Sequence, residues 1–410
     1  MELNSSKILN TVVSTSTVDT TQPLETVDTI VAKRRPSTVT LCCFRPLTLK
    51  ATAIKFTQTF PGRVLYAVKV NPDPIIIRNL WEGGICAFDC ASQNEIKLIR
   101  TLLPTSAKIY YMHPVKSEQS IREAYYSYNV TDFSLDTIKE CHKILSVVVE
   151  KENNLGLYVR LALSSTPGGA MVDLSAKFGA EMQEAVEILR YARPFVKKLG
   201  ICFHVGSQCM NPLIYKNALD LCRIVIEEAD VSIDIIDVGG GFPMSYPDIT
   251  PPSLDMYFAA IKEGIQDLQS KHQIELLCEP GRALVAASMS LIVKVEDRRD
   301  HILHITDGMH GNLYDAGVFK WRYPTRLIRL NGVSEPSSNI ENFSFFGPTC
   351  NSRDFMPGPF LLPADVATND WIEIGQTGSY TTSLRSQFNG FHDTEIVEVS
   401  DPPLIQTPGH

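Results

Sequence analysis

The chain has no excess of basic residues. Across 410 residues, 38 lysines and arginines face 46 acidic residues, a formal net charge of −8. That balance argues against nucleic acid or an anionic membrane as the main partner, since both attract a basic face. There is no Cys-x-x-Cys pair, although ten cysteines are present. Scattered cysteines of this kind read as a reduced, buried set in a cytoplasmic protein rather than a disulfide framework. The Ser- and Thr-rich N-terminus lacks an apolar run long enough for a signal peptide or a membrane span. Residues 1–30 are therefore expected to form a flexible arm. The interior has no low-complexity stretch and no repeat beyond a strand–helix period.

What is present is a large apolar fraction, 44%, enough for a sizeable core. Eight short apolar segments recur: LYAVKV, ICAFDC, AKIYYM, YNVTDF, GLYVRL, GICFHV, DIIDVGGG and ELLCEP. Stretches with helical spacing separate them, such as NEIKLIRTLL and YKNALDLCRIVIEEA. This alternation predicts an α/β fold, a (β/α)8 TIM-type barrel over residues 46–280. Each segment ends at or near a polar or glycine position: Lys69, Asp89, His113, Asp132, Arg160, His204, Gly239 to Gly241, and Glu279. A barrel of this type carries its chemistry at the C-terminal ends of its strands. After Arg282 the pattern changes to short β-like runs such as HILHIT, TRLIRL, DWIEIG and EIVEVS. Residues 281–410, with 31–45 and its TVTLCCF run, are expected to form an all-β domain, a barrel or sandwich.

Lys69 closes a strand-like run. A lysine facing a barrel mouth is desolvated, so its pKa is expected to fall, and a neutral amine forms a Schiff base with an aldehyde cofactor. The alternative is a lysine capping a strand end in water. Gly239, Gly240 and Gly241 let the backbone approach a ligand, and their N–H groups can nest a phosphate. The alternative is a tight turn. Glu279 can hold a pyridinium N–H, and Arg282 can add a cation to a phosphate site. An internal Glu–Arg ion pair is the other reading. His204 can stack on a flat ring and Ser207 can bond a phosphate oxygen, although a lone histidine is more often structural. His113 and Asp132 read as polar residues of the barrel mouth. Cys350, on a loop bounded by Gly347-Pro348, is a candidate proton donor. Tyr380 in GSYT can reach a phosphate.

These pieces converge on pyridoxal 5'-phosphate. The chain resembles the ornithine/diaminopimelate/arginine decarboxylase family, which has the alanine-racemase-like fold, and its ornithine/lysine branch fits best. The likeness rests on YAVKVNPDP, FDCASQNEI, HPVKS, FHVGSQC, DVGGGFP, CEPGRALVA, DGMHGNLYDAG, GPTCNSRDFMPGPFLLPADV, GQTGSYT and FNGF. The resemblance implies that Lys69 holds the cofactor covalently, with Asp89 beside it and Arg160 near the cofactor. It implies that His204 stacks on the ring and Glu279 binds the ring nitrogen. Ser207, Gly239, Gly240, Gly241, Arg282 and Tyr380 would hold the phosphate, and no metal is called for. Tyr314 and Asp315 would meet the substrate's distal end, together with position 351. Cys350 would protonate the substrate carbon after carbon dioxide leaves, reaching into a partner's site, so a homodimer with shared sites is implied.

Several positions depart from the family pattern. Asn351 stands where the branch has an aspartate that binds a distal ammonium. Arg353 follows it, and Lys320, Trp321 and Arg322 make the stretch after Asp315 basic and bulky. His310 replaces a common tyrosine, and Val70 a common cysteine. Three readings stay open. The first is decarboxylation of an ornithine- or lysine-like amino acid in a polyamine pathway. The second is a modified substrate with a less cationic or carboxylate-bearing distal group, of alkaloid type. The third is a non-catalytic regulator, whose usual losses at Lys69, the glycines and Cys350 are not seen. A racemase on the same barrel is disfavoured by the GPTC segment and the long β region.

Overall fold

The computed structural model describes residues 23–34, 40–149, 154–163, 169–172, 174, 176–330 and 334–408. Most of the expected arm, residues 1–22, lies outside them. Its end runs into helix α1 (Val27–Arg34), which buries Val27, Ile30 and Val31 against the C-terminal sheet.

Strand β1 (Thr40–Phe44) is followed by helix α2 (Pro46–Thr59), whose first turn accommodates Pro46 because its N–H has no helical acceptor. The barrel then begins. Its strands are β2 (Arg63–Ala67), β3 (Ala87–Cys90), β4 (Lys108–Tyr111), β5 (Asp132–Leu135) and β6 (Gly156–Arg160). A short strand β7 (Ala170–Val172) precedes β8 (Lys198–Cys202), and its antiparallel partner β9 (Ser207–Cys209) follows it. Strands β10 (Ile235–Asp237) and β11 (Glu275–Cys278) complete a closed, all-parallel barrel in the order β10-β11-β2-β3-β4-β5-β6-β8. Seven of them lie on the apolar segments of the sequence, while β5 overlaps YNVTDF only at Asp132 and Phe133. The pleat explains their composition: Leu65 of β2 packs inside with Tyr110, Tyr158 and Leu277, while Val64 and Tyr66 face the helical layer.

Helices α3 (Pro74–Glu82), α4 (Gln93–Leu102), α5 (Glu118–Tyr128), α6 (Ile138–Val147), α7 (Met182–Ala192), α8 (Leu213–Ala229) and α9 (Leu254–Lys271) ring the barrel. Polar caps start four of them just beyond the strand ends. Asp73, Ser92, Ser117 and Thr137 accept the backbone N–H groups of Ile75, Glu95, Ser120 and Glu140. Glu95 also accepts Ala91 N–H at 2.6 Å, which ties the start of the helix back to the end of β3. These caps pin the turns that carry the mouth residues.

After the short helix α10 (Arg282–Val285) the chain forms one mixed eight-stranded sheet. It comprises β1, β12 (Met289–Arg299), β13 (Ile302–Ile305), β14 (Thr325–Ile328), β15 (Ile340–Phe346), β16 (Phe355–Pro363), β17 (Trp371–Ile374) and β18 (Thr394–Glu398). Strand β1 pairs antiparallel with β12 and parallel with β18, so the strand before the barrel belongs to this sheet. Helix α11 (Tyr314–Val318) interrupts it. Among the described residues, no helix is long and apolar enough to cross a membrane. All ten cysteines are free thiols.

Asp132 departs from its expected place. It is the first residue of β5, at the N-terminal end of the barrel, opposite the mouth. There it accepts Lys198 at 2.8 Å and the Tyr158 hydroxyl at 2.7 Å. Sequence spacing put it at a strand end, but the strand begins there. Replacing Asp132 with alanine strands these donors and is expected to cost about 1–3 kcal/mol in urea unfolding. Turnover by the folded fraction should remain within about twofold of wild type, because the site lies at the other end of the barrel.

Candidate active site

Six strand ends build the site. Strand β2 stops at Ala67, and a single 3-10 turn, Val68–Val70, presents Lys69. Asp89 on β3 is buried and lies 3.3 Å from the Lys69 amine. Arg160 ends β6, His204 follows β8, Gly239 to Gly241 follow β10, and Glu279 follows β11. Lys69, His204 and Glu279 line one pocket. Ser207, Gly240, Gly241, Arg282 and Tyr380 line the same pocket.

The electrostatics correct one expectation. Burial pushes the Lys69 amine down, but the Asp89 and Glu279 carboxyls outweigh it, and the net shift is upward. Lys69 is therefore held as an ammonium ion. Strand sequence alone shows the desolvation but not the acids that closure of the barrel brings to it. His204 moves the other way. Burial, with Lys69 and Arg160 nearby, pushes its imidazole well below the usual range. Its Nδ1 accepts Gly206 N–H at 3.1 Å, so the neutral ring carries its proton on Nε2.

The glycines are required by space. Gly239 and Gly241 have φ of +67° and +102°. A Cβ at Gly240 would stand 2.6 Å from the Glu279 carbonyl oxygen and 3.0 Å from His204 Nε2. Any side chain there would fill the space between the histidine ring and the Glu279 backbone. Gly378 has the same character in the β domain. Its Cβ would fall 1.9 Å from the Val285 carbonyl oxygen, so the GQTGSYT turn presses directly on α10. That contact delivers Tyr380, whose N–H donates to the Val70 carbonyl at 3.0 Å.

Arg282 makes no ion pair with Glu279. It pairs with Asp315 at 3.1 Å and donates to the Tyr246 hydroxyl and Ser379 at 3.2 and 3.1 Å. Its guanidinium lies between the rings of Trp321 and Tyr380, with centroids at 4.2 and 4.9 Å. Tyr246, Ser379 and Trp321 carried no sequence signal for this role, since three separate segments meet at the arginine. Asp315 is buried, and burial pushes its carboxyl up against the opposing pull of Arg282. Tyr314 begins the same helix and packs near Phe319. His113 lies at the mouth, its ring 5.2 Å from that of Phe178, which also faces Arg160.

Cys350 and Asn351 are not among the pocket's lining residues. Cys350 is exposed, and its N–H donates to Asn389 at 3.1 Å. Asn351 is hydrogen-bonded to His310 at 2.9 Å, and its Oδ1 accepts Arg353 N–H at 3.0 Å.

A lysine held by Asp89, a deep acid, a neutral imidazole and the glycines Gly240 and Gly241 around one pocket match an aldehyde-bearing, phosphorylated pyridine. Arg282 Nε adds a buried N–H with no acceptor among the described residues. Residues 48–286 match the family model of the pyridoxal-dependent decarboxylases, pyridoxal binding domain. The chain belongs to this family. It is a pyridoxal-phosphate-dependent amino-acid decarboxylase. It is 31% identical to the lysine/ornithine decarboxylase of Selenomonas ruminantium, over 83% of this chain and 84% of that protein. It is 28% identical to decarboxylase flvG of Aspergillus flavus, over 85% and 83% of the two chains. Among solved structures, the arginine decarboxylase of Paramecium bursaria Chlorella virus bound to agmatine superposes with a TM-score of 0.78 at 26% identity. That match covers 91% of this chain and 99% of the viral one. A variant of SrLDC in complex with pyridoxal phosphate gives 0.79 at 27%, covering 90% and 94%.

Proposed function

We propose that this decarboxylase acts on an ornithine- or lysine-like amino acid, as a cytoplasmic homodimer with shared active sites. The pocket that gathers Lys69, His204, Glu279 and the glycine nest carries the reading. Bound pyridoxal phosphate supplies an electron sink for the pair left on the α carbon when carbon dioxide departs. Lys69 is the covalent anchor, with Asp89 holding its charge and orientation. Glu279 would hold the ring nitrogen and its proton. His204, neutral and locked by Gly206, would pack against the ring. Gly239, Gly240, Gly241, Ser207, Arg282 and Tyr380 cradle the phosphate, and Arg160 adds a positive charge near the ring. Cys350 delivers the proton to the α carbon. Its exposure, away from its own chain's pocket, supports a site completed by a second copy. The free thiols fit a reducing compartment.

One observation favours the second substrate reading. The loop after β15 offers no free carboxylate. Position 351 is an amide engaged by His310, and Asp354 is buried, accepting Met309 N–H at 2.7 Å and the Thr349 hydroxyl at 2.7 Å. Asp315 is already paired with Arg282. A distal group less cationic than an ammonium meets less desolvation cost there. Replacing Asn351 with aspartate is expected to raise kcat/KM for ornithine and lysine by about ten- to a hundredfold, the value of a charged hydrogen bond. The deciding experiment is an amino-acid panel with the loaded protein, read by carbon dioxide release and amine mass. It holds ornithine, lysine, arginine, diaminopimelate and N-substituted diamino acids. Ready turnover of ornithine or lysine supports the first reading. Silence on both, with turnover of a distally altered acid, replaces it with the second.

A further inference from the structure

Asp237 has no part in the chemistry above, yet its side chain is fully buried beneath the pocket. It is the last residue of β10. Its Oδ1 accepts Gly239 N–H at 2.8 Å and so caps the glycine turn. Glu279 is tied to the same turn, its N–H donating to the Gly239 carbonyl at 2.8 Å. Asp237 Oδ2 has no donor among the described residues, and the Glu279 carboxyl is the acid it faces. Lys69 is ion-paired with Asp89 instead.

Two buried carboxyls that face each other do not both ionise readily, because burial raises the cost of a second charge and the nearby Lys69 is already paired with Asp89. One proton between them supplies the missing hydrogen bond. We propose that Asp237 is a positioning residue that holds Glu279 through this shared proton while capping the glycine turn. One side chain thereby ties the partner of the ring nitrogen to the phosphate cradle. The proposal rests on the assignment of Glu279 and the glycines to those two ends of the cofactor.

The surroundings keep the proton on the pair. Burial pushes both carboxyls up, and Asp89 on β3 pushes the same way. Lys69 opposes it at both acids and Arg160 at Glu279. Cys202 on β8, Cys278 on β11, Tyr110 on β4 and Tyr158 on β6 also face Asp237. Burial pushes all four up, so they stay neutral and do not compete.

The test compares Asp237→Asn and Asp237→Ala in the full-length protein, each also in the Glu279→Gln background. Dissociation of pyridoxal phosphate is followed by absorbance. Asparagine keeps both an acceptor for Gly239 and a donor for Glu279, so affinity should stay within about threefold of wild type. Alanine loses both and should weaken binding by about ten- to a hundredfold. In the Glu279→Gln background the alanine loss should shrink by about tenfold, because the two residues act as one unit. An equal loss in both backgrounds overturns the proposal, as does a loss with asparagine as large as with alanine.

A pH readout covers the case in which the alanine variant does not fold. The folded pair keeps a proton that the unfolded chain releases above its carboxyl range of about 4, so stability falls as pH rises through that range. The Asp237→Asn chain should show a shallower fall in its unfolding midpoint between about pH 5 and 7. An unchanged slope overturns the shared proton. Separately, a Glu279→Gln chain that binds cofactor and turns over like wild type would sink the assignment of Glu279 to the ring nitrogen, whatever Asp237 does.

Discussion

Replacing Lys69 with alanine is expected to reduce decarboxylation by a thousandfold or more, on the order found when a covalent-catalysis residue is removed. The lysine is displayed on a single turn between β2 and α3, with its amine 3.3 Å from Asp89. The side chain is 40% exposed because it opens into the pocket, while Asp89 behind it is 3% exposed. Among the described residues no other lysine lines that pocket to take over the attachment. The alanine variant also leaves Asp89 buried beside Glu279 without its cation, so some stability is lost as well. Borohydride treatment of the loaded protein, followed by mass measurement, separates the two effects. Wild type should gain one reduced cofactor per chain. The alanine variant should gain none, while its far-ultraviolet spectrum remains native. A covalent adduct on the alanine variant would move the anchor elsewhere.

The second large effect concerns Cys350. Alanine at this position should abolish amine formation by the normal route, since it removes the group assigned to protonate the α carbon. The informative experiment is a mixture. Cys350→Ala chains keep an intact Lys69, and Lys69→Ala chains keep an intact Cys350. If each site joins Lys69 of one copy to Cys350 of the other, a mixed dimer has one complete site and one site lacking both groups. Random re-pairing of equal amounts should then restore about a quarter of wild-type activity from two inactive proteins. The exposed Cys350, held by Asn389 on a neighbouring turn, is the structural ground for this expectation. Failure to restore activity, with both variants dimeric and loaded, would place Cys350 and Lys69 in the same chain's site or remove Cys350 from the chemistry.

Much of the fold was legible because its signals are local. The eight apolar segments, the serine and threonine caps and the glycine turns each act within a few residues. Lys69, Glu279 and the glycine run stood out because each follows a strand-like segment, and a parallel barrel sends all such ends to one face. Asp132 shows the limit of that inference. It follows an apolar run in YNVTDF, but Tyr128 still belongs to α5, and the strand starts only at the aspartate. Strand β16 was also hidden, because FMPGPFLLP carries three prolines that weaken a strand signature.

The sequence by itself determined the strand–helix alternation, the cofactor chemistry and the loss of an acid at position 351. The first two follow from residue type and short-range spacing, and the third from the family resemblance. The tertiary structure alone decided which charges meet. It placed Asp89 and Glu279 against Lys69, so that the amine is held protonated where desolvation by itself would have neutralised it. It paired Arg282 with Asp315 and enclosed it between Trp321 and Tyr380. It set Asp237 beside Glu279 through the register of β10 on β11, where Asp237 lies opposite Leu277. Coulomb energies depend on distance and burial, and barrel closure sets both between residues far apart in the chain.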